Sequence, residues 1–257
     1  MAWMSARVGA ALIVLFGLGF AGWSLAVRAP YSPWYVARWE ELGEGLERME
    51  FVSATDVNVL LYRIEPEQYD FAVSQKSVPA RVKSWAGELP GNHLVINGFY
   101  FLEDYSPAGL LISQGESIHA QSFDLDKSGV IELAPQFGII DTQFESLETD
   151  GLEEAGQSYP FLLKHGEESI KEDSRLRARR TFMGQDTAGD VYVGVVWKDD
   201  VSLFELMRVL QEVEIDWDDV INLDGGPSTG VSVNSDGFYE TLDSAAPVPN
   251  VIIIQPK

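Results

Sequence analysis

The sequence predicts an α+β fold: a single domain with a mixed or antiparallel twisted sheet and flanking helices, preceded by an N-terminal transmembrane helix. Three observations predict it. Short runs of branched apolar residues, bounded by turn residues, recur along the chain. One later segment has the apolar periodicity and the cap of an amphipathic helix. The chain also opens with a long apolar run.

The apolar run covers residues 8–27 and is flanked by Arg7 and Arg28. About 20 apolar residues cross a bilayer as a helix, whereas a cleavable signal peptide has an apolar part of about 7–15 residues. We therefore expect residues 1–29 to be an uncleaved signal anchor that attaches the protein to a membrane, with a cleaved signal peptide as the alternative. Because few residues precede the run, we expect the domain on the extracytoplasmic side.

Residues 30–50 are expected to form a membrane-proximal helical linker, because aromatic residues and glutamates are frequent in them. Residues 51–257 are then the globular domain. Its expected strands share branched apolar residues and flanking turns. They are Asn58–Ile64, Phe71–Val73, Leu94–Ile96, Leu110–Ser113, Val130–Leu133, Val191–Trp197, Val220–Leu223, Val231–Val233 and Val251–Ile254.

Two helices are expected within the domain. The first is Pro79–Trp85, which precedes a glycine-containing stretch. The second is Ser202–Val213, where Ser202 and Glu205 have the spacing of a capping box and apolar residues recur at helical spacing. The acidic stretch Asp141–Glu154 lacks a period, so we expect a solvated loop there, with a cation-binding loop as the alternative.

Composition restricts the classes of function. The chain has 257 residues, a net charge of −22 and no cysteine. Absent cysteine excludes disulfides and thiolate metal sites. The negative charge excludes nucleic acid as a partner, because proteins that bind it need a basic surface. An anionic substrate would need a local basic patch to offset the overall field.

Such a patch is present in the sequence. Residues 164–180 hold six of the 18 basic residues. Arginine suits phosphate oxygens because its guanidinium is a planar fork of donors. In a strand, Arg175, Arg177 and Arg179 would share one face and Arg180 would lie on the other. Surface ion pairing with the abundant carboxylates is the alternative.

Two turns that contain glycine follow expected strands. Asn97 and Gly98 follow the first, where glycine permits close approach and the amide offers donors and acceptors. Asp224, Gly225 and Gly226 follow the second, and Ser228 comes shortly after. A carboxylate followed by glycines and hydroxyls can form a polar site whose backbone amides bind an anion. An ordinary structural turn is the alternative at each place.

These motifs and their order resemble the phosphodiester glycosidase family from about Val57 to Ile254. The strongest elements are NLDGG-x-S and the Arg-Thr-x-x-Gly pattern that starts at Arg180. The chain departs from the family at Phe99, where a second glycine is common, and at Arg179, where proline is frequent. The segments that carry the resemblance are VNVLLYRI, VINGFYF, PAGLLISQGE, QSYPFLLKHGE, RRTFMGQD, SLFELMRVL, INLDGGPSTG and VPNVIII.

The resemblance implies a hydrolase that cleaves the glycosidic bond of a sugar-1-phosphodiester, in cell-envelope or extracellular glycoconjugates. A carboxylate would stabilise positive charge on the sugar ring or activate water, and a cation with nearby amides would hold the developing anion. The implied catalytic residues are Asp224, Arg180 and Asn97. The implied substrate-binding residues are Gly98, Gly225, Gly226, Ser228 and Thr181.

Several alternatives stay open at this point. A second catalytic carboxylate would be Glu103 or Asp104, which follow NGFYF closely. No cofactor or metal is expected, although a divalent cation at Asp224 with Asp216 or Asp218 is the less favoured alternative. Two other classes of function remain. One is a phosphodiesterase that cuts the phosphorus–oxygen bond, and the other is a non-catalytic module that binds an envelope glycopolymer.

Overall fold

Strands dominate the computed structural model of this protein, which describes residues 37–118 and 127–257. Within these residues there are eighteen strands, two α-helices and one short 3-10 turn. The expected α+β class with flanking helices is therefore wrong, and the fold is mostly β. The physical reason is that the strands cover one another: three antiparallel sheets bury most of their apolar faces together, so few helices are needed.

The first sheet has eight strands, and every neighbouring pair in it is antiparallel. Their order across the sheet is β1 (Glu40–Gly43), β2 (Leu46–Val52), β3 (Asn58–Ile64), β14 (Val191–Val201), β13 (Ala178–Asp186), β15 (Trp217–Asn222), β11 (Phe161–Lys164) and β12 (Glu167–Glu168).

The other two sheets have five strands each and are also antiparallel. The second runs β7 (Glu116–Ser117), β6 (Leu111–Ser113), β10 (Glu154–Ser158), β8 (Gly129–Ala134) and β9 (Gly138–Asp141). The third runs β17 (Phe238–Leu242), β16 (Val231–Ser235), β5 (His93–Asn97), β18 (Val248–Pro256) and β4 (Tyr69–Ala80).

The first sheet is the middle layer of the molecule. Because side chains alternate along a strand, neighbouring residues of its strands face different cores. Met183 and Ile221 face the core shared with the second and third sheets. Phe182 and Val220 face a second core, which is closed by helix α2 (Leu203–Leu210). Strand β13 therefore connects the two cores.

Both expected helices are present, with shifted ends. The capping box of α2 is confirmed, since the Ser202 side chain accepts from the Glu205 N–H and the Glu205 carboxylate from the Ser202 N–H. This helix ends at Leu210, whose carbonyl accepts from the Trp217 indole at 3.0 Å. Helix α1 covers Val82–Ala86 rather than starting at Pro79, because the preceding residues belong to β4.

All nine expected strands are confirmed. Seven of them lie within observed strands, and the two at β6 and β15 extend one residue beyond the observed strand. The acidic stretch after β9 is a loop of mostly exposed residues, as expected. Its two ends are buried. Asp141 pairs with Lys164, and Glu154 accepts from the N–H groups of Val73 and Gln114 at 2.8 and 2.9 Å.

The expected helical linker at residues 30–50 is wrong where the structure describes it. Strands β1 and β2 form a hairpin there, and β2 pairs with β3 along its whole length. Leu46 and Met49 are buried by this pairing, and they contribute to two different cores. The compact unit starts at Ala37 rather than at residue 51.

The expected transmembrane helix at residues 8–27 lies outside the described residues. Among residues 37–118 and 127–257, no helix is long and apolar enough to cross a membrane. The prediction of a membrane-anchored, extracytoplasmic domain has no support among these residues and is not carried further.

A charged contact joins the first sheet to the third. Arg48 on β2 donates from Nε and Nη2 to the two carboxylate oxygens of Glu240 on β17, both at 2.9 Å. The buried Tyr62 hydroxyl donates to Glu240 Oε2 at 2.6 Å. Burial alone would raise the pKa of Glu240, but the hydrogen bonds from Arg48 and Tyr62 outweigh it and hold this pKa below its ordinary value.

We expect Glu240→Gln to lower the free energy of unfolding by about 2 kcal/mol at neutral pH, because it removes charged hydrogen bonds from a largely buried pair. A lowered pKa stabilises the folded state above the unfolded-state pKa, and this contribution is lost as the pH falls through the folded-state pKa. The difference between variant and parent, measured by urea unfolding at several pH values, should therefore shrink in acid.

The matched control is Glu88→Gln, which removes the ion pair between Glu88 and Lys76. The Glu88 side chain is 62% exposed. Exposed pairs contribute at most about 1 kcal/mol. Equal effects of the two substitutions, or a difference that does not depend on pH, would contradict the role given to Glu240.

Candidate functional site

The register between β13 and β15 brings two predicted residues near each other. Phe182 pairs with Asn222, and the Leu223 N–H donates to the Thr181 carbonyl at 2.8 Å. Strand β15 ends at Asn222, and Asp224 follows in the next turn. A Cβ at Gly225 would lie 3.8 Å from the Arg180 Cα, so this turn lies against Arg180.

The Asp224 carboxylate is held by the turn that follows it. Its Oδ1 accepts from the Gly225 N–H at 2.9 Å, and the Ser228 side chain also bonds the carboxylate. Burial raises the pKa of Asp224, and the hydrogen bonds from Ser228 and Gly225 act in the opposite direction without cancelling it. A carboxylate in this state suits proton transfer or charge stabilisation next to a ligand.

The two glycines allow this turn to lie against β13. A Cβ at Gly225 would lie 2.8 Å from the Arg179 carbonyl oxygen, so a side chain there would collide with backbone. Gly226 has φ +59°, a left-handed conformation that favours glycine. The structure therefore explains both glycines by packing and turn geometry.

Arg180 is half-buried and is held by backbone carbonyls. Its Nε donates to Val201 O at 3.0 Å and its Nη2 to Leu176 O at 2.6 Å. Burial lowers its pKa, against the influence of Tyr100 and Asp200. A guanidinium has five N–H donors. In the described part of the chain the other three have no hydrogen-bond partner, and Arg180 forms no ion pair with Asp224.

Asn97 and Thr181 lie behind this pair and are fully buried. Asn97 Nδ2 donates to the Asp224 carbonyl at 2.7 Å. Its Oδ1 accepts from the Thr181 hydroxyl at 2.7 Å and from the Gly230 N–H at 3.1 Å. One amide thus joins β5, β13 and the turn that carries Asp224.

Gly98, expected to bind substrate, packs against Asn250. A Cβ at Gly98 would lie 2.1 Å from Asn250 Oδ1, which accepts from the Phe99 N–H at 2.7 Å. The Phe99 side chain is buried and packs against Gly156 in the core. The departure from the family at Phe99 is therefore accommodated in the core.

Sequence reasoning missed Tyr100 and Asn222. The Tyr100 hydroxyl donates to the Tyr159 carbonyl at 3.0 Å and accepts from Asn222 Nδ2. The pKa of Tyr100 is raised by burial and then by the charge of Asp224, while Arg180 lowers it. Tyr100 therefore lies within electrostatic reach of both. A signal was present, because Asn222 precedes Asp224 by two residues in the NLDGG motif.

Arg175 and Arg177 do not lie in a strand with Arg180, although the expected alternation assumed that they did. Strand β13 begins only at Ala178, so Arg175 and Arg177 precede it. Arg175 is exposed with φ +60°, and Arg177 pairs with Glu205 and donates to Asp200 O. Surface contacts therefore account for Arg177.

The other carboxylates considered for the site differ from Asp224 in burial or in position. Glu103 and Asp104 are in an exposed turn, where Asp104 accepts from the Ser106 N–H at 3.0 Å. Asp218 is near the start of β15, six residues before Asp224, which is about 20 Å along an extended strand. A cation shared by Asp224 and either Asp216 or Asp218 is therefore incompatible with the structure.

A separate cluster of side chains that can ligate metals lies at the start of β15. Ligand atoms of His165, Asp218 and Asp219 are within 4.8 Å of one another. His165 Nδ1 is 3.2 Å from Asp218 Oδ1, and the His165 N–H donates to Asp219 Oδ1 at 2.8 Å. Hydrogen bonding within the cluster accounts for this arrangement.

Comparison with solved structures identifies related folds. The catalytic domain of zebrafish N-acetylglucosamine-1-phosphodiester alpha-N-acetylglucosaminidase, auto-inhibited by its pro-peptide, matches with a TM-score of 0.63 and 15% identity, over 88% of this chain and 86% of that one. A hypothetical protein from Synechocystis matches with a TM-score of 0.61 and 15% identity, over 90% of this chain. This chain spans 65% of that protein's length. At such identities the likeness shows the fold.

Comparison of the sequence itself is more specific. A search of curated proteins finds no match. A family model for phosphodiester glycosidase matches residues 91–255, which is more than half of the chain and includes Asn97, Arg180 and Asp224. The chain therefore belongs to the phosphodiester glycosidase family, a group of glycosidase-type hydrolases.

Proposed function

We propose that this protein hydrolyses the bond between the anomeric carbon of a sugar and the oxygen of a phosphodiester, releasing the free sugar and a phosphate monoester. The observation that carries the proposal is that Arg180 and the turn of Asp224 lie together around Tyr100, on which both charges act, without an ion pair between Arg180 and Asp224. A cation and a carboxylate in one site, each held by other groups, suit a substrate with a negative leaving group beside a carbon that becomes positive.

Arg180 acts on the leaving group. When the bond to the anomeric carbon breaks, the electron pair stays on the phosphate oxygen, and this charge needs stabilisation more than protonation. The N–H donors of Arg180 that have no partner in the described residues are suited to bind two phosphate oxygens. Fixed donors directed at a developing anion lower the barrier without reorganisation during the reaction.

Asp224 acts on the sugar. In its ionised form it stabilises the oxocarbenium-like transition state or removes a proton from the attacking water. Gly225 and Ser228 fix the direction of the carboxylate. Asn97, with Thr181, holds the backbone of Asp224 in place, so we assign both a positioning role rather than contact with substrate.

The test is turnover of hexose-1-phosphodiesters with a simple alkyl aglycone by the full chain in isotope-labelled water. We expect the label to enter the sugar, since the sugar–oxygen bond is broken. Label in the phosphate product would indicate a phosphodiesterase that cuts the phosphorus–oxygen bond. Binding without turnover would indicate a glycopolymer-binding module.

We expect Asp224→Asn to lower kcat by at least about 100-fold, because it removes the charge while keeping the shape of the side chain. The melting temperature should change little, since no cavity is created. The control is Asp218→Asn in β15, the strand that precedes Asp224. The Asp218 side chain is 47% exposed, so this variant should keep near-normal turnover.

The pH dependence of the parent and of Asp224→Asn gives a second test. Because the ionised carboxylate is the active form and burial raises its pKa, kcat/KM of the parent should rise with pH through a value above the ordinary one for aspartate, then level off. This acid limb should be missing in Asp224→Asn. A stable variant with near-normal turnover would remove Asp224 from the mechanism.

We expect Arg180→Lys to lower kcat/KM by about 10- to 100-fold, which corresponds to the loss of a charged hydrogen bond of about 1.5–3 kcal/mol. Lysine keeps the charge but not the fork of donors. Arg175→Lys, at an exposed position before β13, should have little effect. Equal small effects in steady-state kinetics would favour a role in surface ion pairing for the whole cluster.

A further inference from the structure

The Tyr100 hydroxyl belongs to a directed chain of hydrogen bonds. Asn222 Nδ2 donates to the Tyr100 oxygen, and the Tyr100 hydroxyl donates to the Tyr159 carbonyl at 3.0 Å. Asn222 Nδ2 also lies 2.7 Å from the Leu223 carbonyl, which fixes the orientation of the amide. Because Asn222 is only 1% exposed, the direction of this chain is set by the interior of the protein.

These hydrogen bonds leave the Tyr100 hydroxyl able only to accept a further hydrogen bond. A phenolic hydroxyl has one donor and two acceptor lone pairs. The donor is used by Tyr159 and one lone pair by Asn222. In the described part of the chain no further donor bonds Tyr100, so its remaining capacity is to accept. A ligand group that meets it must therefore be a donor.

Tyr100 is also placed at the site. Asn222 ends β15 two residues before Asp224, and it pairs with Phe182, two residues after Arg180. The charges of Asp224 and Arg180 both act on Tyr100. The Tyr100 ring packs at 4.9 Å from the ring of Tyr159, which is 39% exposed. An aromatic pair next to a few fixed polar groups is the usual lining of a small-molecule site.

We propose that Tyr100 accepts a hydrogen bond from a hydroxyl or amide N–H of the substrate's sugar, and that Asn222 is the positioning residue that holds Tyr100 for this contact. The inference rests on the proposed function of the site. The oxygens of a phosphodiester carry no proton, so that part of the substrate cannot donate to Tyr100. Sugar hydroxyls can.

A hydrogen bond from the sugar to Tyr100 affects which sugar the site prefers rather than the chemical step. Burial and the Asp224 charge raise the pKa of Tyr100, so the phenol remains neutral throughout the range in which Asp224 titrates. A site arranged to accept from one hydroxyl disfavours the sugar that lacks it, because the acceptor is left unpaired. Tyr100 should thus select among sugars while leaving the pH dependence of the reaction unchanged.

The test measures kcat/KM for a hexose-1-phosphodiester and its monodeoxy analogues, with the parent protein and Tyr100→Phe. The preference for the hydroxylated sugar is the ratio of its kcat/KM to that of the deoxy analogue. At one sugar position this ratio should be at least about 10-fold larger for the parent than for Tyr100→Phe. The ratio of two kcat/KM values cancels the concentration of active enzyme, so partial misfolding of the variant does not affect it. The acid limb should be the same in both.

Two further variants separate positioning from general disruption. Tyr105→Phe removes the hydroxyl of a tyrosine that lies, like Tyr100, between β5 and β6. Tyr105 is 42% exposed, and its ring stacks on Phe101. It should discriminate as the parent does. Asn222→Ala should reduce discrimination at the same sugar position as Tyr100→Phe, because it releases the Tyr100 hydroxyl.

The outcomes distinguish this inference from the proposed function. If the parent turns over these substrates and Tyr100→Phe retains the full preference at every sugar position, the inference is wrong and the function stands. If no turnover occurs, the proposed function fails. Calorimetric Kd values for the sugar 1-phosphate and its deoxy analogues then decide the inference by the same ratio, and unchanged ratios or no binding would overturn it.

Discussion

The hydrogen bonds of Asn97 are the contact on which the arrangement of the site depends. The side chain ends β5 in the third sheet and reaches β13 and the turn after β15, both belonging to the first. A buried amide that bonds partners on several elements fixes their separation, because each partner would otherwise be an unsatisfied polar group in the interior. The positions of Asp224 and Arg180 relative to each other follow from this contact and from the β13–β15 ladder.

The fold explains why the site forms at this edge. The first sheet lies between two cores, one of which is closed by α2. At Phe182 and Val220 the face toward that core is covered and apolar. Further along the same strands lie Arg180 and Asn222, and Asp224 follows in the next turn. These strands therefore change from core to polar site within a few residues, and the buried part keeps the polar part rigid.

Local patterns predicted the strands and the capping box of α2, because alternation and cap spacing are carried by neighbouring residues. That Asn97, Arg180 and Asp224 belong to one site was implied by the resemblance to the family. The fold class was missed because the way sheets cover one another depends on contacts between distant residues. The hairpin of β1 and β2 was read as a helix for the same reason, since its pairing partner β3 decides its conformation. Tyr100 and Asn222 were missed because their importance lies in a hydrogen bond between residues 122 positions apart.

Arg180 is held by two neutral carbonyls, from Val201 and Leu176, rather than by a carboxylate. Its direction is therefore fixed, and no carboxylate of residues 37–118 and 127–257 forms an ion pair with it. An anion that enters the site need not displace a carboxylate from the guanidinium, so little of its binding free energy is used to break an existing contact. In a chain with a net charge of −22, this is how a local electrostatic preference for an anion persists against the field of the whole molecule.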